Sequence, residues 1–159
     1  MDSMKISQDF FSYIKPYLVK IQAIIGNDFV VFGSAPLYLL GVVEFDGKIH
    51  DLDISIKNSE DIPKGAQIVT FQKDQNQIFY KIMIDGMEID IASLWSGQEY
   101  FFNKTHANPI VIEEFKFANL NVVKEWKREM VKKYNRLKDK EYLVKIENFQ
   151  NQVKDHDID

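Results

Sequence analysis

The chain has 159 residues, 45% of them hydrophobic and 28% charged, with a formal net charge of −4 and no cysteine. That length and balance give one domain with a sizeable core and exclude a chain that is disordered throughout. The mildly acidic total argues against a general basic surface for nucleic acid, and the missing cysteines exclude disulfides and thiolate metal sites.

The opening "MDSMKISQDFF" has no signal-peptide pattern, and no apolar run approaches the length of a membrane span, so a cytoplasmic protein with no membrane partner is expected. Residues 8 to 25 carry apolar side chains at Phe10, Phe11, Tyr13, Ile14, Leu18, Ile21, Ile24 and Ile25. This is helical spacing, with Ser7 as cap and Gly26-Asn27 as stop, and Pro16 inside it predicts a kink or a later start. "FVVF" (29 to 32) reads as a short buried strand. "APLYLLG" reads as a short helix with Pro36 in its first turn and Gly41 at its end. In "LDISIK" (52 to 57), Leu52, Ile54 and Ile56 alternate with Asp53, Ser55 and Lys57, the period of a strand.

"NSEDIPKGA" reads as a loop and "QIVTFQ" as a strand. "QIFYKIMI" and "MEIDIASL", joined by Asp85-Gly86, predict a hairpin with a two-residue turn. Residues 96 to 105 are read as a helix and "PIVIEEFKFA" as one or two short strands. "NVVKEWKREMVKKYN" and "DKEYLVKIENFQNQV" are read as helices with a break near Arg136, and the charged tail "KDHDID" is expected to fray. No internal repeat or low-complexity linker divides the chain. The expected architecture is a single α+β domain over 1–159 with a mixed β-sheet. The N-terminal helix lies within 1–26, the C-terminal helices pack on the sheet from 119–152, and 154–159 is the tail.

Chemistry is expected where acids share a strand face. Asp51 and Asp53, two residues apart on a strand, point the same way at a spacing of roughly 7 Å. Two ionised carboxylates that close repel unless a cation lies between them, and Mg²⁺ takes one or two carboxylates plus substrate phosphates. The same pattern also fits two solvent-facing aspartates at a strand entry. Asp90, flanked by Ile89 and Ile91, adds a third acid if its strand neighbours 52 to 57. Glu88 shares Asp90's face by parity and could be a fourth ligand, with a solvated rim charge the better expectation. Gly33-Ser34, between a strand and a helix start, has the backbone N–H groups and hydroxyl that can meet a phosphate. His50 adjoins the acids and is expected at the surface. His106 and His156 have no partner at metal-ligand spacing. Trp95, Trp126, Phe101 and Phe102 could stack on a nucleobase, with core packing the better expectation.

Strand, Gly33-Ser34, short helix, Asp51-x-Asp53 on a strand and a later lone Asp90 together resemble the nucleotidyltransferase superfamily with the polymerase-beta-like fold. "GSAPLYLLG" followed by "HDLDI" looks like the small, single-domain bacterial and phage-type members, which carry a Gly-Ser-x-Ala-Leu-Tyr-Leu-x-Gly segment. Those members often add a helical lysine and an Arg-x-Lys-Asp segment opening a last helix. Here Lys127 stands for the lysine, and Arg136, Lys138 and Asp139 for the segment. The resemblance covers residues 29 to 150. It departs at Pro36, where the family often has Ala, a change that a helix start accepts.

The resemblance implies two-metal transfer of an NMP from an NTP such as ATP. Asp51, Asp53 and Asp90 would hold Mg²⁺ or Mn²⁺, with Asp90 also placed to help deprotonate the acceptor hydroxyl. Gly33, Ser34, Lys127, Arg136 and Lys138 would bind the nucleotide. The acceptor stays open among a protein side chain, a small molecule such as an aminoglycoside, and an RNA end. The lack of a second large domain argues against a processive polymerase and leaves room for a dimer mate or partner protein. The alternative is a non-catalytic nucleotide-binding or protein-interaction module of the same fold, such as a toxin–antitoxin component.

Overall fold

The computed structural model describes residues 5–71, 74–93 and 99–158. Helix α1 (Gln8–Ile25) starts at Ser7, whose hydroxyl accepts from the Phe10 N–H, and ends where Gly26 takes φ 89° and its N–H returns to the Gln22 carbonyl. It runs through Pro16 without the later start that proline predicted. Its buried stripe, with Phe10, Ile14, Leu18 and Ile21 fully enclosed, holds it against the sheet and outweighs one missing backbone hydrogen bond.

The strands are β1 (Phe29–Phe32), β2 (Asp51–Ile56), β3 (Gln67–Phe71), β4 (Asp74–Ile84), β5 (Met87–Ala92), β6 (Ile110–Ile112) and β7 (Phe115–Phe117). They form one mixed sheet in the order β3-β4-β5-β2-β1-β7-β6. The short α2 (Ala35–Leu39) follows β1, α3 (Glu99–Ala107) follows β5, and α4 (Leu120–Tyr134) and α5 (Leu137–Ile158) follow β7. The expected α+β class with a mixed sheet is what the chain adopts. The Asp85-Gly86 turn joins β4 to β5 as predicted, both residues at positive φ. Leu94 of the expected second arm lies outside the described residues, as does the start of the helix read over 96 to 105.

Alternation in the strands builds two cores. Leu52, Ile54, Ile56, Ile89 and Ile91 face α1 in the larger one. Val30 on the opposite face joins Ala118, just after β7, and Leu37, Val122, Val123, Tyr142 and Ile146 of α2, α4 and α5 in the smaller. The break near Arg136 is at Asn135, in the left-handed region with its N–H on the Val131 carbonyl. Beyond it α5 continues to Ile158, so residues 154–158, expected to be a frayed tail, extend the helix. No glycine or proline interrupts that stretch, so the backbone ladder has no reason to stop at Val153.

Leu52 is fully buried between Asp51 and Asp53 and fixes the strand on which both acids ride. Leu52→Ala is expected to cost about 2–5 kcal/mol in urea denaturation, by lost burial plus the cavity left behind.

Candidate active site

The face of β2 that points away from α1 carries Asp51, Asp53 and Ser55. β5 runs parallel beside it, in a register that sets Asp51 opposite Glu88, Asp53 opposite Asp90 and Ser55 opposite Ala92. The expected neighbourhood of Asp90 and the 52–57 strand is therefore present. Carboxylate oxygens of Asp51, Glu88 and Asp90 lie within 4.8 Å of one another. Glu88, expected as a rim charge, belongs to this closest trio because the parallel register places it directly across from Asp51. Its only ion pair among the described residues is with Lys81 Nζ, at 3.1 Å. Asp53 stands next to the trio and turns its carboxylate toward Gly33.

Gly33 follows β1 with φ 71°, and a Cβ there would overlap the Asp53 carboxylate, so glycine is required both by the turn and by the acid beneath it. Ser34 is next, and its Oγ accepts from Lys127 Nζ at 3.3 Å. Lys127, from α4, is buried and also donates to Asp139 Oδ1 at 3.3 Å, with its ammonium 4.4 Å from the centre of the Tyr142 ring. Asp139, buried at the start of α5, meets Arg136 Nε at 3.4 Å through its other oxygen. A cleft of about 500 Å³ is lined by Gly33, Ser34, Asp51, Asp53, Asp90, Lys127, Arg136 and Lys138. The residues expected to hold the metal and the nucleotide thus reach one cavity, acids on the sheet floor and cations on the helical wall.

The floor is electrostatically costly. Burial first, and then the Asp51 charge, push the Asp53 carboxyl up to about 7, against the pull of Lys127. Burial first, then Asp53, raise Asp90 to about 8, with Glu88 accepting a hydrogen bond from its protonated form. Asp51 is raised as well, by burial and then Glu88, while His50 pulls it the other way. One oxygen of Asp90 is buried and accepts no hydrogen bond among the described residues. A buried oxygen without a donor, beside two more carboxylates, forms an all-oxygen donor set of the kind hard divalent cations take. The residues present fit such a cation.

Other expected contributors are more peripheral. His50 is exposed at the cleft rim. Trp126 lines the cleft and packs edge-on to Phe101 at 4.8 Å between ring centres. Phe102 packs on His106 at 4.7 Å. Trp95 and the side chain of His156 lie outside the described residues. His106, to which no metal partner was assigned, is hydrogen-bonded to buried Ser55 through Oγ at 2.9 Å. Burial, then Lys57, hold its pKa down at about 4, so the imidazole is neutral. Two residues carry more of the site than their reading in the sequence assigns them. Glu88 was readable by its parity with Asp90, whereas burial of Asp139 had no signal, since a charged residue in a helix's first turn usually faces water.

Asp53 and Asp90 keep protons in the fold at pH values where the unfolded chain has lost them. Their stabilisation is complete below the unfolded carboxyl range and disappears as pH rises through about 7 and 8. His106 works the other way, but only below the ordinary histidine pKa. Between pH 6.5 and 8, metal-free protein should therefore lose at most about 1.4 kcal/mol per pH unit for each acid. Thermal melts in chelator should show the slope, and Asp53→Asn/Asp90→Asn should flatten it.

The Lys127–Asp139 pair is tested separately. Asp139→Leu alone strands a buried ammonium and should cost about 3–5 kcal/mol in urea denaturation, whereas Lys127→Met/Asp139→Leu should recover most of that loss.

No protein-family model, no curated protein and no solved structure matches the chain.

Proposed function

We propose that the protein is a Mg²⁺-dependent nucleotidyltransferase that moves an NMP from an NTP to an acceptor hydroxyl. The observation that carries the proposal is the meeting of opposite charges in one cleft. Carboxylates from two parallel strands form its floor, while Lys127, which donates to Ser34, and Arg136 and Lys138 line the same cleft. A cleft of about 500 Å³ has room for a nucleotide.

In this function Asp51, Glu88 and Asp90 hold Mg²⁺ or Mn²⁺, with Asp53 beside them as a further oxygen donor. When bound, the cation supplies neutralisation of phosphate charge and a template for in-line displacement. The chain's own groups do the rest. Gly33, lacking a Cβ, lets the triphosphate approach the backbone, and the Ser34 hydroxyl donates to a phosphate oxygen. Lys127 is held in place by Asp139 and by the Tyr142 ring, so its charge is fixed before nucleotide arrives. Arg136 and Lys138, more exposed than Lys127, neutralise the outer phosphates. The acceptor oxygen bonds to the α-phosphorus, the bond to the bridging oxygen breaks, and pyrophosphate leaves. The acceptor's proton passes to Asp90, a carboxylate on the same floor. Exposed His50, Lys48 and Asp46 border the cleft and form the side open to an acceptor, whether protein, small molecule or RNA end.

The rival function is binding without turnover, and a single experiment separates them. Purified protein is incubated with α-labelled NTPs, Mg²⁺ or Mn²⁺ and cell extract. Label should pass to an acceptor, and Asp51→Ala/Asp53→Ala should abolish transfer by at least about 10³-fold. Mg²⁺ with NTP should also raise the melting temperature of wild type but not of the double variant. A melting shift without any labelled product would favour the binding module, and neither signal would sink both.

A further inference from the structure

The Asp85-Gly86 turn fixes the β4–β5 register, with Met83 opposite Glu88, Ile82 opposite Ile89 and Lys81 opposite Asp90. Residues directly opposite share a face. Lys81 therefore projects onto the sheet face that carries the acids, and its ammonium lies 3.1 Å from Glu88 Oε1. Among the described residues it is the only cation in an ion pair with the Asp51, Glu88 and Asp90 trio. Its field reaches Asp51 as well, where it favours the ionised carboxylate. The pair is neither sealed nor fully solvated, with side-chain exposures of 27% for Lys81 and 34% for Glu88. Lys127, by contrast, is packed away at 6%.

We propose that Lys81 is an exchangeable internal counterion, occupying Glu88 until a metal–nucleotide complex displaces it, so that the metal loads together with a triphosphate rather than alone. The physical conflict is direct. Glu88 cannot give its charge fully to a divalent cation while an ammonium sits 3.1 Å from one of its oxygens. The ammonium and the cation also repel across a gap of a few ångströms, an effect of about tenfold or more in affinity even at water-like screening. A triphosphate changes the balance by offering four negative charges to both cations. Lys81 can then leave Glu88 for a phosphate oxygen with its charge still paired. The flexible four-carbon stem of lysine suits such a transfer, and its partial exposure leaves it room to move. The proposal rests on the metal face invoked for nucleotidyl transfer but concerns how that face is loaded.

Direct Mn²⁺ binding tests it without turnover, by following free Mn²⁺ in spin resonance titrations of the full chain. Without nucleotide, Lys81→Met should bind Mn²⁺ about tenfold or more tightly than wild type. Lys81→Arg should stay near wild type, and Glu88→Gln added to Lys81→Met should cancel the gain. With a methylene-bridged ATP analogue the gap between wild type and Lys81→Met should narrow. Thermal melts check folding, and Lys81→Gln serves as the neutral variant if Lys81→Met is poorly folded. Equal Mn²⁺ affinity in wild type and both neutral variants, with affinity lost in Asp51→Ala/Asp90→Asn, overturns the role of Lys81 and leaves the metal face standing. Affinity unchanged in Asp51→Ala/Asp90→Asn overturns the metal face and Lys81's role with it.

Discussion

The parallel register of β2 and β5 is the constraint on which the site depends. It stacks Asp51 on Glu88 and Asp53 on Asp90, so four acids fall within one small patch of a single sheet face. Like charges directly opposite each other weaken strand pairing. The sheet tolerates them because the alternate residues, Leu52, Ile54, Ile89 and Ile91, are fully buried against α1 on the other face. The apolar side of the two strands holds the acidic side together. A one-residue slip of either strand would exchange the two faces, placing carboxylates in the α1 core and isoleucines in the cleft. The same burial that fixes the fold therefore fixes the geometry of the acids.

The helices divide along the same line. α1 covers the apolar face, and α4 and α5 stand on the other, where they leave the cleft open rather than close the sheet. A second device secures the cleft's far wall. Tyr13 of α1 donates to the Ile49 carbonyl and accepts from the Ile49 N–H, both at 3.3 Å. Phe45 packs on Phe10, Tyr13 and Tyr38. The N-terminal helix, outside the motifs that drew attention in the sequence, thus anchors the loop that carries Asp46, Lys48 and His50 to the rim.

Much of this was legible because it is local. Alternation in "LDISIK" and "MEIDIA" gives the two faces, and Asp85-Gly86 gives the hairpin and its register. From that register alone the position of Lys81 opposite Asp90 can be counted, although the residue drew no attention. The parallel partnership of β2 with β5 has no local signal, since about thirty residues and a second hairpin separate the strands. Without it Glu88 looks like an ordinary edge charge. Pro16 misled about α1 for a related reason: its effect on the helix is local, while the packing that overrides it comes from strands elsewhere. Asp139 was read only as part of a motif, because burial of an acid depends on Lys127 arriving from another helix.

Two lysines beside the charged floor show how one chain can handle a permanent need and a temporary one. Lys127 is paired to a buried acid and stacked on an aromatic ring, so removing its partner would leave a stranded charge. That makes it part of the fold, present whether or not a ligand is bound. Lys81 has one ion-pair partner among the described residues and keeps partial exposure, and a partly exposed ion pair of this kind contributes little to stability. A pair that adds little to the fold can be broken at little cost when a stronger anion arrives. The difference in burial between two chemically identical side chains therefore separates a charge built into the site from one lent to it.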